Sequence, residues 1–194
     1  MIYIQKLSKY KHKAFSLYET IFTILILTIL LNLTFFKFQN FKETQSIIEA
    51  KMKITEAFSY ASISSLSKHQ NKIIQFHVSE KKIIISNHKF TKEKEIFLPR
   101  NLIYYSTINQ GQPYFNINFT KNGNISQSFS IYIFGRKRYA RYKISFYGFD
   151  RSKFLIINNY KNKEKNKIYL HSILKYHTET NEDRAEFYSD WKKE

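Results

Sequence analysis

Between Phe15 and Phe36 the chain runs FSLYETIFTILILTILLNLTFF, 22 residues with no Pro or Gly and a single charged side chain, Glu19. As a helix rising 1.5 Å per residue, such a run reaches about 33 Å, and a bilayer core of about 30 Å needs no more. It is too long for the apolar stretch of an ordinary secretory signal, and no A-x-A cleavage site follows it. Residues 1–14 carry Lys6, Lys9, Lys11 and Lys13 and no acid. That order places the leader on the cytoplasmic side and the remainder outside, as a single-pass membrane protein with an extracytoplasmic C-terminal domain. A carboxylate in an apolar span is costly and usually meets a partner, although Glu19 is close enough to the end of the run to snorkel.

The rest of the composition narrows the function classes. The 194 residues suit one domain with appendages. There is no Cys, which excludes a disulfide framework and a thiolate metal site. The formal charge of +17 fits a nucleic acid, an anionic wall polymer or a membrane surface, or a Lys-, Asn- and Ile-biased genome. The six His residues have no familiar metal-ligand spacing. No phosphate loop, nucleophile elbow or paired-carboxylate motif is present, so the sequence points to no enzyme, no cofactor and no metal.

Past Lys37, Ile47, Ile54, Phe58 and Ala61 fall on one helical face, which predicts the amphipathic second half of one long helix, residues 37–68, ending near Ser67. Short β-branched and aromatic runs follow at Ile73–Val78, Ile83–Ser86, Ile96–Leu98, Leu102–Thr107, Tyr114–Phe119, Ile125–Phe134, Tyr139–Tyr147 and Phe154–Asn158. They predict a β-rich domain over 69–160, with the clearest turn at Asn122-Gly123. The fold class is α+β, a long helix packed on an antiparallel sheet. Residues 161–194, with eight basic and seven acidic side chains, read as a charged extension with one short helix and a disordered end.

One cluster could contact anions. Arg136, Lys137, Arg138, Tyr139, Arg141 and Lys143 lie within eight residues of one another, and lysines and arginines with tyrosines can neutralise phosphates and stack on exposed bases. The same charges on an edge strand would protect it against strand-to-strand aggregation. Tyr139 and Tyr142 have opposite parity, so a regular strand puts them on different faces.

The string Lys13-Ala14-Phe15-Ser16-Leu17-Tyr18-Glu19 resembles the class III signal of type IV pilins and pseudopilins: a basic leader ending in a small residue, then Phe, then Glu fifth in the mature chain. The resemblance covers about the first 36 residues. It implies cleavage between Ala14 and Phe15 by a prepilin peptidase, N-methylation of Phe15, and pairing of Glu19 with the N-terminal amine of a neighbouring subunit. Residues 1–14 are then a cleaved leader and 15–36 the transmembrane half of the helix. Ala14 stands where the family usually has Gly, and the helix lacks the Pro or Gly that breaks many major pilins. A second resemblance covers roughly 114–158. Ile117–Ile125, Phe129–Ile133 and Tyr142–Phe146 look like the C-terminal half of GspH/FimT-type minor pseudopilins, those of Gram-positive competence systems in particular.

These resemblances imply a structural subunit of a pseudopilus through which DNA crosses the cell wall. Its partners would be the other major and minor pseudopilins, and it would reach the cell surface on filament assembly. The alternatives are a pseudopilin of a type II secretion system or another type IV pilus, and an unprocessed membrane protein that binds nucleic acid or wall polymer directly.

Overall fold

The computed structural model describes residues 16–108, 112–148, 155–179 and 185–194. The chain separates into two units, Met1–Phe41 and Lys42–Glu194. In the first, the described residues belong to α1 (Leu17–Lys68), one α-helix that continues into the second unit without a break, as expected where no Pro or Gly interrupts the ladder. Its large apolar side chains from Leu17 to Phe41 are exposed on every face. The predicted cleavage and methylation positions, Ala14 and Phe15, lie outside the described residues.

In the second unit α1 becomes one-sided. Ile47, Ala50, Ile54, Ala57, Phe58 and Ala61 are buried, following the three- and four-residue spacing of one helical face. The three alanines keep that face low, so the backbone can approach the strands, and Phe58 fills the space. Its ring centroid lies 4.2 Å from that of Phe146, 5.7 Å from Phe129 and 6.1 Å from Phe119. Burying such a ring contributes about 1.5–3 kcal/mol.

The strands form two antiparallel sheets where one was expected. The first contains β1 (Lys72–His77), β2 (Lys82–Asn87), β3 (Lys92–Phe97) and β5 (Tyr114–Phe119), in the order β3-β2-β1-β5. The second contains β4 (Ile103–Ser106), β6 (Phe129–Phe134), β7 (Ala140–Tyr147), β8 (Ile156–Asn162) and β9 (Trp191–Lys193), in the order β4-β6-β7-β8-β9. The turn at Asn122-Gly123 is present, but β5 and β6 belong to different sheets, so it passes the chain between sheets. Gly123 is required there twice over. Its φ is +73°, and a Cβ would fall 2.5 Å from the carbonyl oxygen of Ser62.

Strand β3 begins four residues before the expected Ile96. Lys92-Glu93-Lys94-Glu95 has low β-propensity, yet each side chain meets an opposite charge: Lys92 with Glu95, Glu93 with Lys72, and Lys94 with Glu56 of α1.

The largest departure lies in 161–194. Its described residues form a layer over the outer face of the second sheet: a 3₁₀ turn (Leu170–Ser172), α2 (Ile173–Glu179), α3 (Ala185–Asp190) and β9, which pairs with β8. Trp191 and Phe187 are fully buried against Tyr132, Phe134, Ala140 and Tyr160. Trp191 donates its indole N–H to the Tyr176 hydroxyl at 2.9 Å, and that hydroxyl donates to Asp190 Oδ2 at 3.0 Å. Asn166 donates to the other oxygen of Asp190 at 2.6 Å. The charges of this segment concealed a compact apolar set at Ile168, Ile173, Phe187 and Trp191. Trp191→Ala should destabilise the full chain by about 3–5 kcal/mol, as a large-to-small change in a dry core does. Urea unfolding in detergent measures this, and an unchanged midpoint would mean that the segment is a loose extension.

Candidate functional site: an apolar anchor segment and a basic sheet end

Ser16 caps α1, its hydroxyl accepting the Glu19 backbone N–H at 3.2 Å, so Ser16-Leu17-Tyr18-Glu19 has the spacing of a capping box. A local role in starting the helix therefore stands beside the assembly role expected for Glu19, whose side chain is exposed. The uncharged polar side chains further along turn back onto the helix. Thr23, Thr28, Asn32 and Thr34 each donate to the carbonyl four residues earlier, at 2.7–2.9 Å. In hydrocarbon, where water is absent, that self-bonding removes most of their cost. The segment is long and apolar enough to cross a membrane, and the Glu19 carboxylate is the charge it would carry there.

The nominated basic cluster is divided by the β6–β7 connection. Arg136, Lys137 and Arg138 are exposed at the turn, and Arg138 takes a left-handed φ of 57°. Tyr139 is buried. Arg141 is committed internally, with Nη1 donating to Glu164 at 2.7 Å and to the Tyr139 hydroxyl at 2.6 Å, and with Nε 4.0 Å from Glu43. Lys143 is buried on the outer face of the sheet, its Nζ 4.6 Å from the centre of the Phe187 ring, 5.6 Å from Tyr160 and 5.7 Å from Tyr132. Three rings around one ammonium make a cation–π cage inside the fold. Tyr139 and Lys143 are thus withdrawn from any anion at the surface, Arg141 is half-buried among its partners, and the three turn residues are the fully exposed ones.

The turn is seated on α1. Arg136 donates its backbone N–H to Glu43 Oε2 at 3.3 Å, and a Cβ on Gly135 would fall 2.0 Å from Glu43 Oε1. Beside it runs a second loop. Ala140 N–H donates to the Ile168 carbonyl at 2.8 Å, and Tyr139 bridges to Tyr169. That loop brings exposed Lys163, Lys165 and Lys167 to the same end of the sheet as Arg136–Arg138. Sequence reading missed these three lysines. Their alternation was visible, but the backbone pairing that places them was not.

Lys143 also acts on its neighbour. His177 Nδ1 is hydrogen-bonded to the Tyr132 hydroxyl at 3.0 Å. Burial, assisted by the Lys143 charge, holds its pKa down to about 4 from an ordinary 6.5. Among the described residues, no group of three or more His, Cys, Asp or Glu side chains is arranged to hold a metal ion.

The architecture defines a class: an α+β protein whose N-terminal helix combines a membrane-length apolar segment with an amphipathic half packed on antiparallel strands. No family model matches the chain, and no curated protein matches it. Among solved structures it is similar to the type IV minor pilin FimU of Pseudomonas aeruginosa strain PAO1, at 15% sequence identity over 54% of this chain and 84% of that one, with a TM-score of 0.44. A likeness at that level does not define a family.

The low pKa of His177 sets a sign for acid stability. Between pH 6.5 and 4 the unfolded chain takes up a proton that the folded chain refuses, so stability falls as pH falls through that window and this contribution is constant above it. Urea midpoints at pH 7 and pH 4.5 should therefore differ, and His177→Gln should remove part of the difference. Identical pH dependence in the two proteins would rule out His177 as its source.

Proposed function

We propose that the chain is a minor pseudopilin of the ComGD kind, a non-enzymatic subunit of a competence pseudopilus that helps assemble the filament for DNA passage across the cell wall. One observation carries the reading. The Ala14-Phe15 signal and Glu19 stand directly before a helix that runs unbroken from Leu17 to Lys68, its first half apolar on every face and its second half one-sided. An unassembled subunit rests in the membrane through the first half. A prepilin peptidase removes residues 1–14 and Phe15 is methylated. Glu19 then pairs with the N-terminal amine of a neighbouring pseudopilin, where a carboxylate among apolar helices is tolerable because it meets an opposite charge. Of the nominated DNA contacts, Arg136, Lys137 and Arg138 are the ones exposed on the single subunit. Placement in a type II secretion pseudopilus or another pilus keeps the same chemistry and changes only the neighbouring subunits.

The test is the mass and N-terminal sequence of protein recovered from host membranes with and without the prepilin peptidase. The expected result is a chain that begins at N-methylated Phe15 only when the peptidase is present. Leader retained in both strains would refute the proposal and favour an unprocessed membrane-anchored binder. Glu19→Ala should abolish filament assembly while membrane insertion persists, and normal assembly of that variant would remove the pairing role.

A further inference from the structure

Among the described residues outside the apolar segment, basic side chains gather at the end of the second sheet formed by the β6–β7 turn and the loop after β8. Arg136, Lys137, Arg138, Lys163, Lys165 and Lys167 are all exposed there, and Lys42, exposed on α1, adjoins Glu43, on which the turn is seated. Among the described acids at this end, Glu43 and Glu164 are engaged by Arg141, and Asp190 is buried with its carboxylate bonded to Asn166 and Tyr176. The opposite end of the domain is marked by Ser62, 19 residues along α1 and about 28 Å away by helical rise, which donates to the carbonyl of Gly123.

The position of this basic end follows from connectivity. Glu43 comes two residues after Phe41, which closes the exposed apolar stretch. Two residues of chain span no more than about 7 Å, whatever path they take. Glu43, and with it the turn it seats, is therefore tethered close to the end of the exposed apolar stretch, and Lys and Arg near an anionic bilayer surface are attracted to it within a Debye length. Nucleic acid is the less favoured occupant, because the chain itself holds this end beside the apolar segment; of the nearby rings, Tyr139 in the turn is buried and Tyr169 in the neighbouring loop is exposed but stacked on His171.

We infer that this basic end is a docking surface for anionic phospholipid headgroups, which holds the domain of an unassembled, membrane-resident subunit against the bilayer. The inference rests on the anchoring part of the proposed function. It adds that the contact is released by salt, because it is electrostatic and screened beyond a Debye length of about 10 Å at 0.1 M and 3 Å at 1 M.

The full chain would be reconstituted into vesicles of phosphatidylcholine alone or with added phosphatidylglycerol, each carrying dansyl headgroup lipid. Energy transfer from Trp191, the only Trp in the chain, would then be recorded. Trp191 is paired with Asn162, next to the second basic loop, and so reports on this end. The expected result is greater transfer with the anionic lipid, returning to the phosphatidylcholine level at high salt. Changing Arg136, Lys137, Arg138, Lys163, Lys165 and Lys167 together to Gln should abolish the increment, whereas Lys68→Gln, Lys89→Gln and Lys121→Gln combined should preserve it. Equal transfer in both vesicle types from a chain that floats with them overturns the inference and leaves the pseudopilin reading intact. Retention of the increment by the sixfold variant overturns it too, as does salt-sensitive binding of an oligonucleotide by this end without any response to lipid charge. A chain that floats with neither vesicle type fails as an anchor, and both readings fall together.

Discussion

Strand β6 is buried on both faces, and the rest of the domain is arranged to make that possible. Phe129, Ile131 and Ile133 face the core shared with α1, while Tyr132 and Phe134 face the layer built from the C-terminal segment. A strand that is apolar on both sides cannot leave either one in water. The amphipathic half of α1 answers one face and Trp191 with Phe187 the other. The cage around Lys143 follows from the same requirement, since β7 pairs with β6 and places Lys143 directly opposite Tyr132. The ammonium is held among rings because the outer layer closes over it.

This double burial also divides the basic cluster. Within Arg136–Lys143, residues in the turn keep their charges in water, whereas those in the strand alternate between the two cores. Tyr142 joins the inner core and Lys143 is enclosed by the outer layer. Six neighbours in sequence therefore become one exposed triplet, one internally bonded arginine and two enclosed side chains. A surface formed by Arg136–Arg138 acquires Lys163, Lys165 and Lys167 through the contacts of the second loop with the turn, the backbone pairing of Ala140 with Ile168 and of Tyr139 with Tyr169 among them.

Much of this was legible in advance. Ile47, Ile54, Phe58 and Ala61 identified the buried helical face because helical period is a local property, and the absence of Pro and Gly foretold one unbroken helix. Most strands lay close to where β-branched and aromatic runs placed them. The division into two sheets was hidden, because Asn122-Gly123 specifies a turn but not whether the strands beside it pair. The first half of β3 was hidden too, its Lys-Glu alternation being stabilised by charges distant in sequence. The outer layer left one readable trace. The run Phe129-Ser130-Ile131-Tyr132-Ile133-Phe134 is continuously apolar apart from a serine, which is the pattern of a strand covered on both sides, and something downstream had to provide the second cover. The roles of Ala14, Phe15 and Glu19 rest on motif alone.

The outer cover has a consequence for how the domain is made. Phe187 and Trp191 are more than fifty residues downstream of the β6 face they protect. A chain delivered from its N-terminus can pack α1 against the inner side of the second sheet well before the outer side has its lid. During that interval Tyr132, Phe134 and the edge of β8 stand open to any other strand or apolar surface nearby. Contacts of such long sequence separation form late, and uncovered sheet faces with free edges are where folding intermediates associate wrongly. Until residues 187–191 are in place, the outer face of β6 has no cover from this segment.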